Sequence, residues 1–348
     1  MSKKILHLGS SSTFLPSLID LIDKNFNLNE HIFLLTSDQG KNDLDKFDNV
    51  IICGNDRKSQ LSHYTKVLKT MYKVDKIILH SLFDLKVIQI LFYNPWLLNK
   101  CYWVIWGADL YNYKLSQRNW KWQILEFFRR PVIKNMGHLV TYIPGDVELA
   151  RKWYGAKGKY HECLMYLSNT YKALDVPSTQ TDTINIQIGN SADSSNNHME
   201  VLEKLLPFKD ENIKIYAPLS YGDKLHAKKV IAKGKQLFGD KFTALTDFMP
   251  FEEYLQFLGT IDIAIFNHKR QQAMGNTITL LCLGKMVFMR SDTTQWQFFK
   301  DKNIEIYDIQ NLSKLDLTNI EINEYNMKVT KDYFSTENLK SQLKEVFK

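Results

Sequence analysis

The chain has 348 residues, enough for about two domains that each bury a core. Hydrophobic residues at 44%, charged residues at 24%, only 15 glycines and only 8 prolines exclude a disordered, collagen-like or linker-rich chain. Cys53, Cys101, Cys163 and Cys282 lie too far apart for a disulfide framework or a structural zinc site, and the net charge of +7 points to an anionic partner.

That charge is unevenly placed. Residues 1–170 carry 23 basic and 15 acidic side chains, against 22 and 23 in the remainder. The opening MSKKILHLGSSSTF has too short an apolar run for a signal peptide, and nowhere do about 18 apolar residues run without a charge. A soluble cytoplasmic protein with reduced thiols is expected.

In chain order, short apolar runs alternate with amphipathic stretches, which predicts parallel sheets covered by helices. The first half reads as strands at 4–8, 32–36, 50–53, 76–80, 102–106 and 139–143. Helices are predicted at 16–23, 59–73, 85–92 and 146–153, with Pro16 suited to a first helical turn and Pro144-Gly145 breaking the chain before the fourth. Residues 168–183, SNTYKALDVPSTQTDT, lose apolar periodicity and read as a linker between domains of residues 1–167 and 184–331. The second domain repeats the alternation, with strands at 184–188, 213–217, 243–245, 262–266 and 286–289. Its helices are predicted at 198–206, 224–237, 251–258 and 277–283, and a last helix at 332–348. Two such Rossmann-like α/β domains are expected to face each other across a cleft at the carboxyl ends of their sheets, where open α/β sheets hold ligands. Nucleotide-sugar glycosyltransferases of the GT-B type share this architecture with periplasmic-binding-protein-like modules, so fold alone does not choose.

Four segments carry chemistry. From Lys114 to Lys134, Arg118, Lys121, Arg129 and Arg130 alternate with Trp120, Trp122, Phe127 and Phe128 against the single acid Glu126. Cations and tryptophans on one helix suit an anionic bilayer surface; the plainer reading is a packed helix with core aromatics and solvated lysines. No nucleic-acid-binding motif accompanies the patch, so nucleic acid is not expected as a partner.

The second segment is IQIGNSADSSNNHMEVL, residues 186–202. A strand ends at Gly189, then Asn190, Ser191, Asn197 and His198 crowd the turn before a helix. Gly lets the backbone approach closely and a helix start favours an anion, though Ser and Asn also serve as ordinary caps. In the third, residues 265–285, a strand runs into Lys269, Arg270, Gln271 and Gln272, and Gly275, Asn276 and Thr277 open an apolar helix. Two cations beside a helix start make a diphosphate clamp, while paired Gln reads a sugar or base. The fourth, CYWVIWGADLYNY, sets Asp109 at the carboxyl end of a strand as a candidate general base, or else as a cap or orienting group. His80 and the loop 9–14 are expected to line the same cleft. No Gly-x-Ser-x-Gly, His-Glu-x-x-His or Gly-x-Gly-x-x-Gly motif occurs, so hydrolase, zinc-protease and nicotinamide readings lose their usual support.

Residues 80–83, 103–111 (WVIWGADLY), 189–198 (GNSADSSNNH), 217–221 and 270–281, with Trp296, together resemble the 4-acetamido-4,6-dideoxygalactose (Fuc4NAc) transferases of glycosyltransferase family 56. The resemblance implies a GT-B-like fold and transfer of Fuc4NAc from a dTDP-sugar to an undecaprenyl-diphosphate-linked saccharide. That chemistry belongs to the cytoplasmic face of the inner membrane, where the protein would be peripheral, in enterobacterial common antigen or O-antigen assembly. It adds Tyr221 to the donor-binding residues. Where the family has RQQGIGT, this chain has the longer Arg270-Gln271-Gln272-Ala273-Met274-Gly275-Asn276-Thr277. With Arg270 and the helix start neutralising the leaving diphosphate, neither metal nor cofactor is expected. Rival readings are a nucleotide-sugar epimerase of similar shape and a non-catalytic nucleotide-sugar-binding scaffold.

Overall fold

In a computed structural model of the protein, residues 3–348 are described apart from 12–13, 37–43, 45, 55, 173–181, 316, 318–319 and 321. The Ser/Thr-rich core of the expected linker and part of the loop 9–14 therefore lie outside the described residues.

The apolar runs become parallel strands because such strands are covered on both faces. In the first half they are β1 (Ile5–Ser10), β2 (His31–Thr36), β3 (Val50–Cys53), β4 (Lys76–His80), β5 (Cys101–Val104), β6 (His138–Val140) and β7 (Lys159–His161). The helices between them are α1 (Phe14–Asn25), α2 (Arg57–Lys73), α3 (Leu85–Tyr93), α4 (Ala108–Leu115), α5 (Trp120–Lys134) and α6 (Pro144–Tyr154). Asp56, Asp84 and Asn119 cap α2, α3 and α5 by accepting from backbone N–H groups, and Gly155 ends α6 in the left-handed conformation.

The second half forms β8 (Ile184–Ile188), α7 (His198–Lys204), β9 (Ile213–Pro218), α8 (Lys224–Phe238), β10 (Phe242–Leu245), α9 (Phe251–Gly259) and β11 (Ile263–Phe266). It continues with α10 (Met274–Cys282), β12 (Met286–Met289), α11 (Thr294–Asp301), β13 (Tyr307–Asp308), α12 (Glu324–Tyr333) and α13 (Thr336–Phe347). The sequence pattern misses β7 and β13, which are edge strands of 3 and 2 residues, too short for a period to register.

The strand orders are β3-β2-β1-β4-β5-β6-β7 and β10-β9-β8-β11-β12-β13. Each sheet grows outward from its first strand and then crosses back to grow the other way. The reversal falls between β1 and β4 in one sheet and between β8 and β11 in the other, and ligands of open α/β sheets bind at such switch points.

The chain divides into two compact units, one of residues 1–168 with 336–348 and one of residues 169–335. The single terminal helix expected over 332–348 is instead two. Phe334, fully buried beside Phe298 and Phe299, ends α12 inside the second unit, and α13 then packs on the first. There α13 buries Leu339, Leu343 and Val346, and its Gln342 accepts a hydrogen bond from the Leu164 N–H at 2.8 Å.

Candidate active site

At the second unit's switch point, the turns after β8 and β11 are tied together. Asn196, fully buried, is the hub: its Oδ1 accepts from the Asn190 N–H at 2.9 Å and from His268 Nε2 at 2.8 Å, and its Nδ2 donates to the Asp193 carbonyl. Asn197 Nδ2 donates to the Asn267 carbonyl at 2.7 Å, and the Ser195 hydroxyl donates to Gln272 Oε1 at 2.8 Å. Asn190 Nδ2 reaches the Tyr221 hydroxyl at 2.9 Å. Gly189 stands at φ +65°, and a Cβ there would lie 2.6 Å from both Asn196 Oδ1 and His198 Nε2, so both conformation and space demand glycine.

The predicted donor residues separate into two layers. Gly189, Ser191, His198 and Thr277 are buried and build the turn, while Asn190, Asn197, Tyr221, Arg270, Gln271, Gln272, Gly275 and Asn276 reach its open side. His198 pairs through Nδ1 with His226 Nε2 at 3.2 Å, and burial pulls its pKa down to about 3. His268 is likewise lowered to about 3 by burial, so both rings are neutral and support the turn without adding charge. Burial pushes the Asp193 carboxyl up, but the Ser195 hydroxyl and amide and the Arg270 charge outweigh it, leaving Asp193 below the ordinary range.

The helix expected at Thr277 begins three residues earlier, because Ala273 adopts a left-handed φ of 57° and turns the chain into α10. Thr277 already donates its N–H to the Ala273 carbonyl, so the uncommitted first-turn amides belong to Met274, Gly275 and Asn276. Two residues absent from the sequence reading complete the site. Buried Gln295 accepts from the Gln272 N–H at 3.1 Å, and the Tyr254 hydroxyl accepts from Asn276 Nδ2 at 2.9 Å. Tyr254 sits in no polar run and carries no local signal, whereas Gln295 ends the polar run 290–295.

In the first unit, Asp109 is fully buried at the start of α4. Its Oδ2 accepts from Trp103 Nε1 at 2.7 Å and the Leu82 N–H at 3.1 Å, and its Oδ1 from the Trp106 and Leu110 N–H groups, each at 3.0 Å. Four donors fill the lone-pair directions of a carboxylate. The general-base role expected of Asp109 is therefore not available to it; the residue anchors the WGADLY turn. Burial raises its pKa, opposed by the Trp103 indole and the Arg129 charge.

His80 is also closed, the second correction. Its Nδ1 meets the Tyr166 hydroxyl at 2.6 Å and its Nε2 meets His7 Nδ1 at 3.0 Å; His7 Nε2 continues to His31 Nδ1 at 2.8 Å. Trp106 Nε1 closes the far end on the Tyr166 hydroxyl at 2.9 Å. Burial lowers His80 to about 3 and His31 to about 4, and holds His7 well below its usual value. The chain crosses β2, β1 and β4 as an uncharged relay, with Phe347 of α13 edge-on to His31 at 4.7 Å.

Of the basic patch, Arg118, Trp120, Lys121 and Arg130 lie exposed on or beside α5, together with Phe127. Trp122 is half-buried and donates to the Asn112 carbonyl at 3.2 Å. Arg129 is a correction. It is fully buried, 2.7 Å from Glu126, and donates to the Asp109 carbonyl at 2.8 Å and to the Tyr154 hydroxyl, so it has no face for a membrane or acceptor. Among the described residues no helix is long and apolar enough to cross a membrane, and no three His, Cys, Asp or Glu side chains are grouped to hold a metal ion.

Solved structures of similar fold include a glycosyltransferase from Rickettsia africae, with a TM-score of 0.68 and 14% identity over 100% of this chain and 98% of that one. HepE of Anabaena, in complex with UDP and glucose, gives 0.69 and 12% over 99% of each chain. WaaG, a glycosyltransferase involved in lipopolysaccharide biosynthesis, gives 0.63 and 11% over 99% of this chain and 98% of that one. Two parallel-sheet Rossmann-like units on this pattern are those of a GT-B glycosyltransferase. The chain belongs to the 4-alpha-L-fucosyltransferase glycosyl transferase group 56 family, whose model matches residues 12–337.

Proposed function

We propose that this enzyme moves Fuc4NAc, or a related deoxy-amino sugar, from a dTDP-sugar to an undecaprenyl-diphosphate-linked saccharide in surface-polysaccharide assembly, of enterobacterial common antigen or O-antigen. The observation that carries the reading is the pair of turns joined through Asn196 at the β8/β11 switch point, beside Arg270 and the first amides of α10. HepE, on the same fold, holds UDP and UDP-glucose, which supports a nucleotide sugar as donor here.

In the reaction the bond from the sugar C1 to the diphosphate oxygen breaks, an acceptor hydroxyl oxygen bonds to C1, and the hydroxyl proton passes to the leaving diphosphate or to water. Charge develops on the leaving diphosphate. The Arg270 guanidinium and the N–H groups of Met274, Gly275 and Asn276 meet that charge where it forms, so the proposal invokes neither metal nor cofactor. Asn190, Gln271 and Gln272 offer amides to hydroxyls of the donor. The first unit takes the acceptor, and the exposed cations and aromatics of α5 suit the anionic inner-membrane surface from which a lipid-linked acceptor is presented.

Calorimetric titration with dTDP, UDP and GDP tests the donor site in the wild type and in Arg270→Ala. Preference for dTDP, weakened about tenfold or more in the variant, is expected, since one charge-assisted contact contributes about 1.5–3 kcal/mol. Preference for UDP or GDP replaces the donor, and no binding of any of the three rejects the site.

A further inference from the structure

Residues 57–134 carry 14 basic and 4 acidic side chains, so this one stretch holds the positive excess of the first half. Its acids are engaged within the fold. Asp75 accepts the Lys4 N–H at 2.8 Å, Asp84 caps α3 and accepts the Tyr64 hydroxyl at 2.8 Å, and Asp109 and Glu126 are buried. The α2 helix holds Arg57, Lys58, Lys66, Lys69 and Lys73 and no acid. All five are exposed, and among the described residues none is ion-paired.

The helices that carry this charge lie side by side. Val67 of α2, Leu91 of α3 and Val132 of α5 enter one core on the same face of the sheet, and α3 packs against both α2 and α5. Their outer sides therefore form one surface. The period that sends Val67 and Met71 inward turns Lys58, Leu61, Lys69 and Tyr72 outward, with Leu61 at 73% exposure. The Tyr72 hydroxyl donates to Asn94 Oδ1 at 2.6 Å and ties α2 to the end of α3, where Tyr93 and Trp96 are exposed. From there the Phe92 ring reaches Phe127 of α5 at 5.6 Å. On α5 itself Trp120, Ile124 and Phe127 recur at i, i+4 and i+7, all exposed, which is an apolar stripe facing away from the core.

Cations alone suit any polyanion; the exposed aliphatic side chains decide between them. A nucleic acid or an acidic peptide meets Leu61 and Ile124 with charge and water. A bilayer meets lysines at its headgroups and takes aliphatic and aromatic side chains just beneath them. We propose that the membrane contact is the outer face of the whole α2–α3–α5 layer, with α2 as a second basic element and Leu61 inserted, so that the first sheet lies parallel to an anionic bilayer. The proposal rests on the membrane reading of α5 and extends it to a helix outside that reading.

The test uses the full chain and vesicles of phosphatidylethanolamine with phosphatidylglycerol, against vesicles of phosphatidylcholine. Lys58→Gln and Lys69→Gln together are expected to lower binding to the anionic vesicles about thirtyfold in co-sedimentation, with dTDP binding unchanged. The four natural cysteines are buried, so Leu61→Cys supplies an exposed thiol for an environment-sensitive fluorophore. Its emission is expected to shift to the blue on the anionic vesicles and to stay unchanged on phosphatidylcholine. Unaltered binding by the α2 double variant, unaltered emission on anionic vesicles, or an equal blue shift with single-stranded RNA overturns the proposal. The α5 variants Arg118→Ala and Lys121→Ala in the same assay keep the two readings apart. Loss of binding in these with none in the α2 variant leaves α5 on the membrane and removes α2, whereas no loss in either set removes both.

Discussion

An indole N–H only donates, and that orients a run of five linked side chains, four of them buried. Trp106 gives its proton to the Tyr166 oxygen, and every contact is satisfied when Tyr166 gives its own to His80 Nδ1 and His80 and His7 each carry hydrogen on Nε2, directed at His7 and His31. Uncharged, the chain is satisfied along its length; a proton added to any ring sets donor against donor. The folded protein therefore refuses protons that the unfolded chain takes up below about pH 6.5. Stability is expected to be level above that pH and to fall as pH drops, by about 1.4 kcal/mol per unit for each histidine that stays neutral, until the folded values of about 4 for His31 and about 3 for His80 are approached. Urea unfolding between about pH 7.5 and 5 reads this directly, and an unchanged midpoint would mean that the rings charge while folded. The sequence marks His80 as a strand-end histidine but carries no sign of the relay, because His7, His31 and Tyr166 meet it only through strand pairing and a loop return.

At the scale of elements, the turn after β8 is the part of the site most legible in the sequence. Its small and amide residues fall within ten positions, and one of them, Asn196, ties it to the next turn. The start of α10 is less legible, since nothing in AMGNT announces that Ala273 turns left-handed and draws Met274, Gly275 and Asn276 into the first turn. The α5 helix shows the limit of reading composition. Period 3.6 sends Arg129 and Glu126 inward and Trp120 and Phe127 outward, at 66% and 65% exposure, although all belong to one basic-aromatic run. Only the outward set is available to a bilayer. Arg118→Ala and Lys121→Ala are each expected to lower binding to anionic vesicles about fivefold, at about 1 kcal/mol per cation, with neutral vesicles bound weakly by every form. Co-sedimentation checks this, and binding that ignores both substitutions would take α5 off the membrane.

For the whole molecule, the telling feature is that the chain returns. After the second unit is complete, α13 goes back to cover the first sheet and lays Phe347 against His7 and His31. Leu343→Ala, at a fully buried position, is expected to cost about 2–5 kcal/mol. Hydrogen exchange assigns that cost: amides of β1 and β4 are expected to exchange faster while those of β8 and β11 hold, and uniform acceleration would deny α13 to the first unit. The sequence by itself determined the alternation of strand and helix, hence two parallel α/β units, and the polar turns at their strand ends, because apolar period and turn chemistry are local properties of a chain. Only the tertiary structure decided which of those polar residues face outward and which are spent on holding the turn. Asp109, Arg129, His80 and His198 look reactive in sequence and are buried and fully partnered or neutral in the fold, because burial and pairing depend on residues brought from elsewhere in the chain.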